Sequence, residues 1–232
     1  MATWATLIEH YSSSLDDLTT VDETIAEAII KAVDRVQIDL LLKYADVPSV
    51  VTADGINAEE MRVLYVERDG QPCNQRSVAE LYQITDNRSM HYATKYTPVF
   101  VVQPIADDSS PVEMAATLKI YPAPVEADSE DLDGQPGAAY LFTYPTVSET
   151  ASTSEPSTIT HLPPSLVPII VLYAAEKILA AKLALMVHEE EDGELSSVIQ
   201  NQLSTVRAFI VEEEPRLGIG QLAAPSNQGG IS

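Results

Sequence analysis

The stretch Leu166–Val187, LVPIIVLYAAEKILAAKLALMV, decides the fold of this chain. Pro168 fits the first turn of a helix, where its missing N–H has no intrahelical partner to lose. A helix that is apolar nearly all round has to be covered by other elements, so the run predicts a helix at the centre of a bundle or between subunits. A membrane span needs ~20 residues with few or no charges, and Glu176, Lys177 and Lys182 argue against one.

The sequence after this run predicts a second long helix and then a tail. The acidic break Glu189–Asp192 and Gly193 ends the first helix. Apolar residues then recur at helical spacing until about Glu214, and Pro215 is expected to end the helix. Residues 215–232 contain four Gly and two Pro without further pattern, which indicates a flexible tail or arm.

Residues 1–47 also predict helices. Trp4, Leu7, Ile8 and Tyr11 fall on one face of a short helix. Thr20 then opens a T-x-x-E capping box, and the helical period continues through about Tyr44. The sequence Asp46-Val47-Pro48 stops it, because a proline disfavours a helical residue before it.

The segment 48–161 is rich in β-like patterns. Strands are predicted at 61–67, 98–103, 114–121 and 138–144, and a capping box at Ser77 predicts a short helix over roughly 78–85. The alternation predicts an antiparallel sheet with one covered face. Residues 148–160 are Ser/Thr-rich without apolar periodicity, which is typical of a linker.

Together these patterns predict an α+β fold with four parts. The helices of 1–47 and 162–214 should form one bundle, since each set has too few neighbours of its own. The β-rich domain 48–161 is inserted between them, and an extended tail, 215–232, follows.

Composition narrows the function classes. The chain has 232 residues, 35 acidic and 13 basic, and a formal net charge of −22. This balance argues against a protein that grips nucleic acid or docks on anionic lipid, because both use clustered cations. Cys73 is the lone cysteine, so an internal disulfide is excluded. The N-terminus lacks the basic region of a signal peptide, so we expect a soluble, intracellular product.

The search for catalytic chemistry finds weak candidates. No P-loop, G-x-G-x-x-G, G-x-S-x-G or H-E-x-x-H motif is present. Cys73 could be a nucleophile, His188 with Asp192 could hold a metal, and 129–134 imitates the start of a calcium loop. A packed thiol, a solvated helix end and a charged hairpin loop are the favoured interpretations. We therefore predict no catalytic residue, no metal site and no cofactor.

Three acidic runs contain 13 of the 35 acids: Glu126–Asp133, Glu189–Glu194 and Glu212–Glu214. Any single run is best explained as a solvated rim. The alternative is that copies arranged in a ring line a channel with negative charge. Like charges repel the phosphate backbone, which would let DNA pass without binding.

Several short motifs resemble the head–tail adaptor (connector) proteins of tailed bacteriophages. Pro163–Ala175 is similar to that family's proline followed by a hydrophobic helix containing Tyr-Ala-Ala. Leu118–Pro124 resembles its Tyr-Pro-x-Pro strand end, Ala139–Pro145 the partner strand, and Trp4–Ile8 the opening helix. The resemblance touches most of residues 4–214 and carries no catalytic signature.

The resemblance implies a structural role in a virion. Family members form twelvefold rings that dock beneath the portal, extend the DNA channel and give the tail a platform. The implied partners are other copies of the chain, the portal, tail or neck proteins, and DNA that passes non-specifically, with no membrane. The expected location is the head–tail junction, after assembly in the host cytoplasm. The alternatives are a tail-completion or tail-tube protein and, ranked last, an unrelated enzyme or calcium-binding module.

Three residue sets follow from this interpretation. The core or oligomer helix is expected to use Leu166, Ile169, Ile170, Leu172, Tyr173, Ile178 and Leu179. The channel-lining candidates are Glu189, Glu190, Glu191, Asp192 and Glu194. The portal-docking arm candidates are Leu217, Ile219 and Leu222.

Overall fold

The structure is a computed structural model that describes residues 2–12, 18–45, 47–59, 61–106, 114–124, 137–146, 151–189 and 193–219. The chain divides into two compact units. The helical unit comprises 1–40 and 145–232, and the β unit comprises 41–144. The predicted α+β class is confirmed, and the residues preceding and following the β unit do join in one helical unit.

The helices account for most of the regular structure. In chain order they are α1 (Trp4–Ser12), α2 (Leu18–Arg35), α3 (Ile38–Leu42), α4 (Leu81–Thr85), α5 (Val167–Glu189) and α6 (Gly193–Arg216). Short 3-10 turns lie at Val78–Glu80, Ala151–Thr153, Pro156–Thr158 and Pro164–Leu166.

The strands all belong to the β unit. They are β1 (Ser49–Val51), β2 (Ile56–Asn57), β3 (Met61–Arg68), β4 (Gln71–Pro72), β5 (Asn74–Arg76), β6 (Val99–Ala106), β7 (Met114–Tyr121) and β8 (Gly137–Thr143).

Helix α5 is the centre of the helical unit, and it packs against α1, α2 and α6. It forms an antiparallel hairpin with α6, because Tyr173 meets Glu214 while Glu176 meets Arg207. Residues 169–175 of α5, two full turns, are all buried, as an apolar run without a polar face requires. Past Leu179 the helix emerges from its neighbours, and Leu185 is 61% exposed.

The surrounding helices are amphipathic and turn one apolar face inward. On α2 this face includes Ile25, Ile29 and Val33, and α1 contributes Trp4, which is fully buried. On α6 the inward residues are Ile199, Leu203, Val206 and Ile210, spaced four, three and four apart. This spacing places them on one side of a helix with 3.6 residues per turn.

The predicted helix boundaries in residues 1–47 need two corrections. Helix α2 begins at Leu18, so Thr20 lies inside the helix and cannot be its N-cap. The long helix also breaks at Val36 and Gln37, and a separate short helix, α3, follows. The apolar period continued across this break, so periodicity alone could not reveal it.

The described part of the predicted linker, residues 151–160, belongs to the folded helical unit. Ala151 and Ser152 are buried, the Ser152 N–H donates to Asp22 Oδ1 at 2.6 Å, and the Trp4 N–H donates to the Ser154 carbonyl at 3.0 Å. These hydrogen bonds fix the segment to α1 and α2, although its sequence shows no apolar periodicity. The β unit accordingly ends at Tyr144, ahead of the predicted boundary at 161.

The β unit contains two four-stranded sheets, ordered β1-β8-β3-β4 and β2-β7-β6-β5. One apolar cluster joins residues of both, with Val66 and Leu141 from the first sheet and Phe100 and Leu118 from the second. Gly137 of β8 lies so close to Ile120 of β7 that a Cβ there would overlap it. The two sheets therefore pack face to face.

The prediction of one antiparallel sheet was wrong in two respects. A second sheet covers the first, and β5 pairs with β6 in parallel while the other pairs are antiparallel. The four long strands lie at or close to their predicted positions, whereas β1, β2, β4 and β5 are only two or three residues long. Such short strands show no alternation that a sequence pattern can detect.

The predicted helix at 78–85 is a 3-10 turn followed by α4. The Ser77 N–H donates to Glu80 Oε2 at 3.0 Å, which is one half of the expected capping box. This bond lowers the pKa of the Glu80 carboxyl, because it stabilises the ionised form.

Helix α6 ends later than predicted, in a Schellman motif. Pro215 lies within its last turn, and the Ile219 N–H donates to the Glu214 carbonyl at 2.8 Å while the Gly218 N–H donates to the Pro215 carbonyl at 3.1 Å. Gly218 has a φ of 70°, and a Cβ there would overlap the Gln37 side chain. Residues 217–219 are thus folded, which corrects a tail predicted to begin at 215. The predicted tail residues 220–232 lie outside the described residues.

Candidate functional site

Four side chains of the helical unit form a group that we call the Tyr173 network: Lys31, Arg35, Tyr173 and Glu214. Tyr173 is 3% exposed, and its hydroxyl donates to Glu214 Oε1 at 2.7 Å. Arg35 Nη1 donates to the same carboxylate oxygen at 2.6 Å and to the Tyr173 hydroxyl at 3.1 Å. The Lys31 ammonium lies 3.9 Å from the centre of the Tyr173 ring, a cation–π contact.

Three helices position this network. Lys31 and Arg35 are four residues apart on α2, so their side chains lie on one face, one turn apart. Tyr173 comes from the buried half of α5, and Glu214 from the last turn of α6. The network therefore joins α2 to the α5–α6 hairpin, although Arg35 and Tyr173 are 138 residues apart in sequence.

The network holds the Tyr173 phenol neutral. Burial first of all, and then the hydrogen bond to the Glu214 carboxylate, raise the pKa of Tyr173 well above its usual value of 10.0. Arg35 acts in the opposite direction but is outweighed. A phenol in this state donates a hydrogen bond and is a poor base or nucleophile near neutral pH.

A second set of ion pairs lies one turn further along α5. Glu176 bridges two cations, with Arg207 Nε at 2.9 Å and Lys31 Nζ at 3.6 Å, while Lys177 pairs with Glu27. These side chains border a groove of ≈ 370 Å³ between α2, α5 and α6. Its cations are all engaged by carboxylates, so the arrangement is suited to holding helices in register.

The predicted core helix residues occupy positions consistent with a core. Leu166, Ile169, Ile170 and Leu179 are fully buried, and Leu172, Tyr173 and Ile178 are at most 7% exposed. All of them are covered within one copy of the chain.

The predicted channel-lining acids are described in part. Glu194 is exposed in the first turn of α6, where the positive end of the helix dipole stabilises a carboxylate. Glu189 is the last residue of α5, and its side chain lies outside the described part, as do Glu190, Glu191 and Asp192 altogether. The acidic run at 126–133 also lies outside the described residues.

Two of the predicted arm residues, Leu217 and Ile219, lie directly after the last turn of α6. Ile219 is 3% exposed and Leu217 is half-buried, so neither is free to reach a partner as an arm would. Their burial follows from the Schellman motif, which turns the chain back onto the helix end. Leu222 lies outside the described residues.

The described structure adds no support for the candidate nucleophile Cys73 or for the candidate metal sites. Cys73 is half-buried, and burial raises the pKa of its thiol to about 12, so the nucleophilic thiolate is disfavoured. Within the described ranges, no three His, Cys, Asp or Glu side chains are grouped to hold a metal ion. The side chains of His188 and Asp192, and the loop 129–134, lie outside those ranges.

Sequence reasoning identified Tyr173 but missed its partners. Arg35, Lys31 and Arg207 are separated from it by tens to well over a hundred residues. The signal that could have indicated a polar partner was the tyrosine itself, because a phenol buried in a mostly apolar helix needs a hydrogen-bond acceptor. The acceptor, Glu214, was present in the third acidic run, but the register of α5 and α6 was needed to pair them.

Comparisons with known proteins leave the family open. No protein-family model matches the chain, and no curated protein matches it. None of the helices in the described part of the chain is long and apolar enough to cross a lipid bilayer.

Proposed function

We propose that this chain is a structural protein of a tailed-phage virion, a head–tail adaptor whose copies form a ring beneath the portal. The ring would extend the DNA channel and present a platform to the tail. The chain would act by packing and assembly, without catalysis.

One observation carries the proposal: the residues preceding and following the β unit form a single helical unit around α5. The adaptor resemblance implies the same plan, a helical bundle that carries a β insert. The hydrophobic helix that follows Pro163 and Pro164, which carries the resemblance in sequence, is the central helix of the unit, and this agreement supports the proposal.

Exposed apolar residues at one end of the α5–α6 hairpin give the proposal a contact surface. Leu185 is 61% exposed near the end of α5, and Leu195 and Val198 are 47% and 50% exposed near the start of α6. Apolar residues grouped on a surface are typical of protein–protein contact sites. In a ring, this end would meet a neighbouring copy.

The charge balance supports passage of DNA rather than its capture. The chain carries −22 overall. The cations on the Tyr173 network and on the adjoining groove are paired with carboxylates, so they do not form an open basic patch. A negative wall repels the phosphate backbone.

The copy number in purified phage particles that contain the chain tests this proposal. Quantitative mass spectrometry against the major capsid protein should give ~12 copies per particle, as a closed cyclic ring requires. A count of about six, or of many dozens, would favour a tail-completion or tail-tube protein instead, because those assemblies have other symmetries. Absence from particles would overturn the virion proposal.

A further inference from the structure

The connection between β5 and β6, residues 77–98, is a folded part of the β unit that we call the crossover. The two strands are parallel neighbours, so the chain has to cross from one end of the sheet to the other between them. Ile84 and Ala93 fix the crossover to β6, because they share a buried cluster with Val99 and Val101. The Ala93 N–H donates to the Ile84 carbonyl at 3.0 Å, so the two halves of the crossover lie side by side.

The outer surface of the crossover is aromatic and apolar. Tyr82, Met90 and Tyr96 are 77%, 99% and 78% exposed, and Val78 and Tyr92 are also exposed. One exposed apolar side chain is ordinary, but a group of them in one connection indicates a surface for contact with another molecule. Tyrosine and methionine are also among the residues enriched at protein interfaces.

The second half of the crossover is cationic, unlike the chain as a whole. Residues 87–106 contain no Asp or Glu, although 35 of the 232 residues of the chain are acidic, and the crossover's own two acids precede this stretch. Arg88, His91 and Lys95 are exposed, and the Lys95 ammonium lies 5.5 Å from the centre of the Tyr96 ring. A surface that is both aromatic and cationic is complementary to a partner that is both apolar and acidic.

The helical unit of a second copy has both properties. Residues 1–40 and 145–232 of that unit include 19 acids and six Lys or Arg. At one end of the α5–α6 hairpin four exposed side chains combine acidic and apolar character, and we call them the hairpin end: Leu185, Glu194, Leu195 and Val198. Nucleic acid fits the crossover less well, because the whole chain carries −22 and its field repels phosphates.

We propose that the crossover of one copy docks on the hairpin end of a second copy, with Tyr82 and Tyr96 against Leu195 and Val198. This contact joins two different surfaces, so it repeats from copy to copy and closes into a ring if the rotation between neighbours allows it. The inference rests on the proposed function for its setting, since it names the surface that the hairpin end of a neighbouring subunit meets. The contact itself can be measured on the purified chain.

Thiol–disulfide exchange between two variants of the full chain tests the docking. Both variants carry Cys73→Ser. One also carries Met90→Cys in the crossover, activated as its mixed disulfide with thionitrobenzoate, and the other carries Ser197→Cys beside the hairpin end. The thiolate of the second variant attacks the activated sulfur, so a disulfide joins the two copies and thionitrobenzoate leaves as a coloured thiolate. Its absorbance gives the rate of exchange.

Ser204→Cys is the matched control for Ser197→Cys. Both serines are exposed on α6, and their hydroxyls donate to the Glu194 and Asn201 carbonyls at 2.7 Å and 2.8 Å. The two positions lie on the same face of the helix, two turns or ~10 Å apart along its axis. They therefore differ mainly in their distance from the hairpin end.

We expect the Ser197→Cys variant to react at least about tenfold faster than the Ser204→Cys variant, because docking raises the effective concentration of the thiol. The advantage should shrink as salt is added, since salt screens the opposite charges. Tyr82→Ser with Tyr96→Ser in the activated copy should remove it, and circular dichroism would verify that each variant is folded.

Equal rates at the two positions would overturn the docking. If the rates are equal and a labelled oligonucleotide binds the wild type but not the variant with both tyrosines replaced, the crossover is a nucleic-acid contact instead. The outcome is separable from that of the proposed function. A count of ~12 copies per particle with equal rates would refute only this contact, whereas selective exchange in a chain absent from particles would refute only the virion role.

Discussion

Helices α5 and α6 are partners of nearly equal length, 23 and 24 residues, yet they hold their places by different means. Residues 169–175 of α5 are buried all the way round the helix, and its apolar residues show no preferred face. Helix α6 buries one line of residues and leaves the rest to solvent. Helix α5 is held by the apolar residues that surround it, whereas α6 is held by one buried face and by the ion pairs of Arg207 and Glu214.

The difference teaches where the helical unit can tolerate change. A covered helix has neighbours in every direction, so any added charge or lost volume is felt. A peripheral helix loses stability only through its inward line and its specific polar contacts. The predictions that follow test this contrast, beginning with the largest expected effect.

An aspartate in the covered half of α5 should abolish folding of the helical unit. Leu172→Asp places an unpaired charge at a site only 3% exposed, which costs several kcal/mol, comparable to the total stability of a domain at ~5–15 kcal/mol. The matched change on α6 is Val198→Asp, at a site that is 50% exposed, and it should fold. Expression in soluble form and cooperative thermal melting would separate the two. A soluble Leu172→Asp protein with a cooperative melt would contradict the core assignment.

Replacing one leucine on each helix with alanine should show which helix contributes more to the stability of the unit. Leu179→Ala on α5 removes a fully buried side chain and should lower the free energy of unfolding by ~3–5 kcal/mol. Leu203→Ala on α6, at a site 6% exposed, should cost ~2–3 kcal/mol, because the edge of the unit can relax around it. Urea denaturation followed by circular dichroism gives both values. The reverse order would mean that α6, rather than α5, is the centre.

Removing the phenol of Tyr173 tests the polar contact between the two helices. Tyr173→Phe deletes the hydrogen bond to Glu214 and the one accepted from Arg35, and we expect a loss of ~1–3 kcal/mol near neutral pH. The loss should shrink in alkali. The folded protein raises the pKa of this phenol above 10.0, so its stabilising effect is complete below that pH and is lost as the pH rises further.

Measuring unfolding of both proteins between pH 8 and about pH 11 checks this dependence. The difference between wild type and variant isolates Tyr173 from the other tyrosines. A difference that grows with pH would show that the folded state favours the ionised phenol, contrary to this account.

The smallest effect is expected at the exposed ion pair between α2 and α5. Lys177 and Glu27 have side chains that are 51% and 60% exposed, and such pairs contribute ~0–1 kcal/mol. Lys177→Ala should therefore lower the midpoint of thermal unfolding by at most ~4 °C. A loss comparable to that of Tyr173→Phe would assign the polar groove a larger stabilising role than its exposure suggests.

The contrast between α5 and α6 also explains what the sequence could predict. The run at Leu166–Val187 and the amphipathic period after it are local patterns, so the two helices and the α+β class could be recognised from them. The contacts of Tyr173 with Arg35 and Glu214 depend on which turns of three helices meet, and no local pattern encodes that register. The segment 151–158 was wrongly predicted to be a linker for a similar reason. Hydrogen bonds to Asp22 and Trp4 fix it to the helices, and such bonds leave no apolar periodicity in the sequence.

The β unit illustrates the same limit. Its four longer strands show alternation, but β1, β2, β4 and β5 are too short to show it, so the second sheet was missed. Both sheets share Leu118 and Val66 in one core, which only the fold brings together. The predicted acidic channel residues stay a prediction, since their role depends on an assembly of several copies.

Hydrogen exchange of the full chain, followed by mass spectrometry, tests most directly the claim that the helical unit is built around α5. The amides of residues 169–179 should be the slowest in the helical unit and should exchange only through its global unfolding. The amides in the middle of α6 should exchange sooner, through openings that leave α1, α2 and α5 together. If the amides of α6 exchange as slowly as those of α5, or more slowly, the helical unit is not built around α5, and the account is wrong.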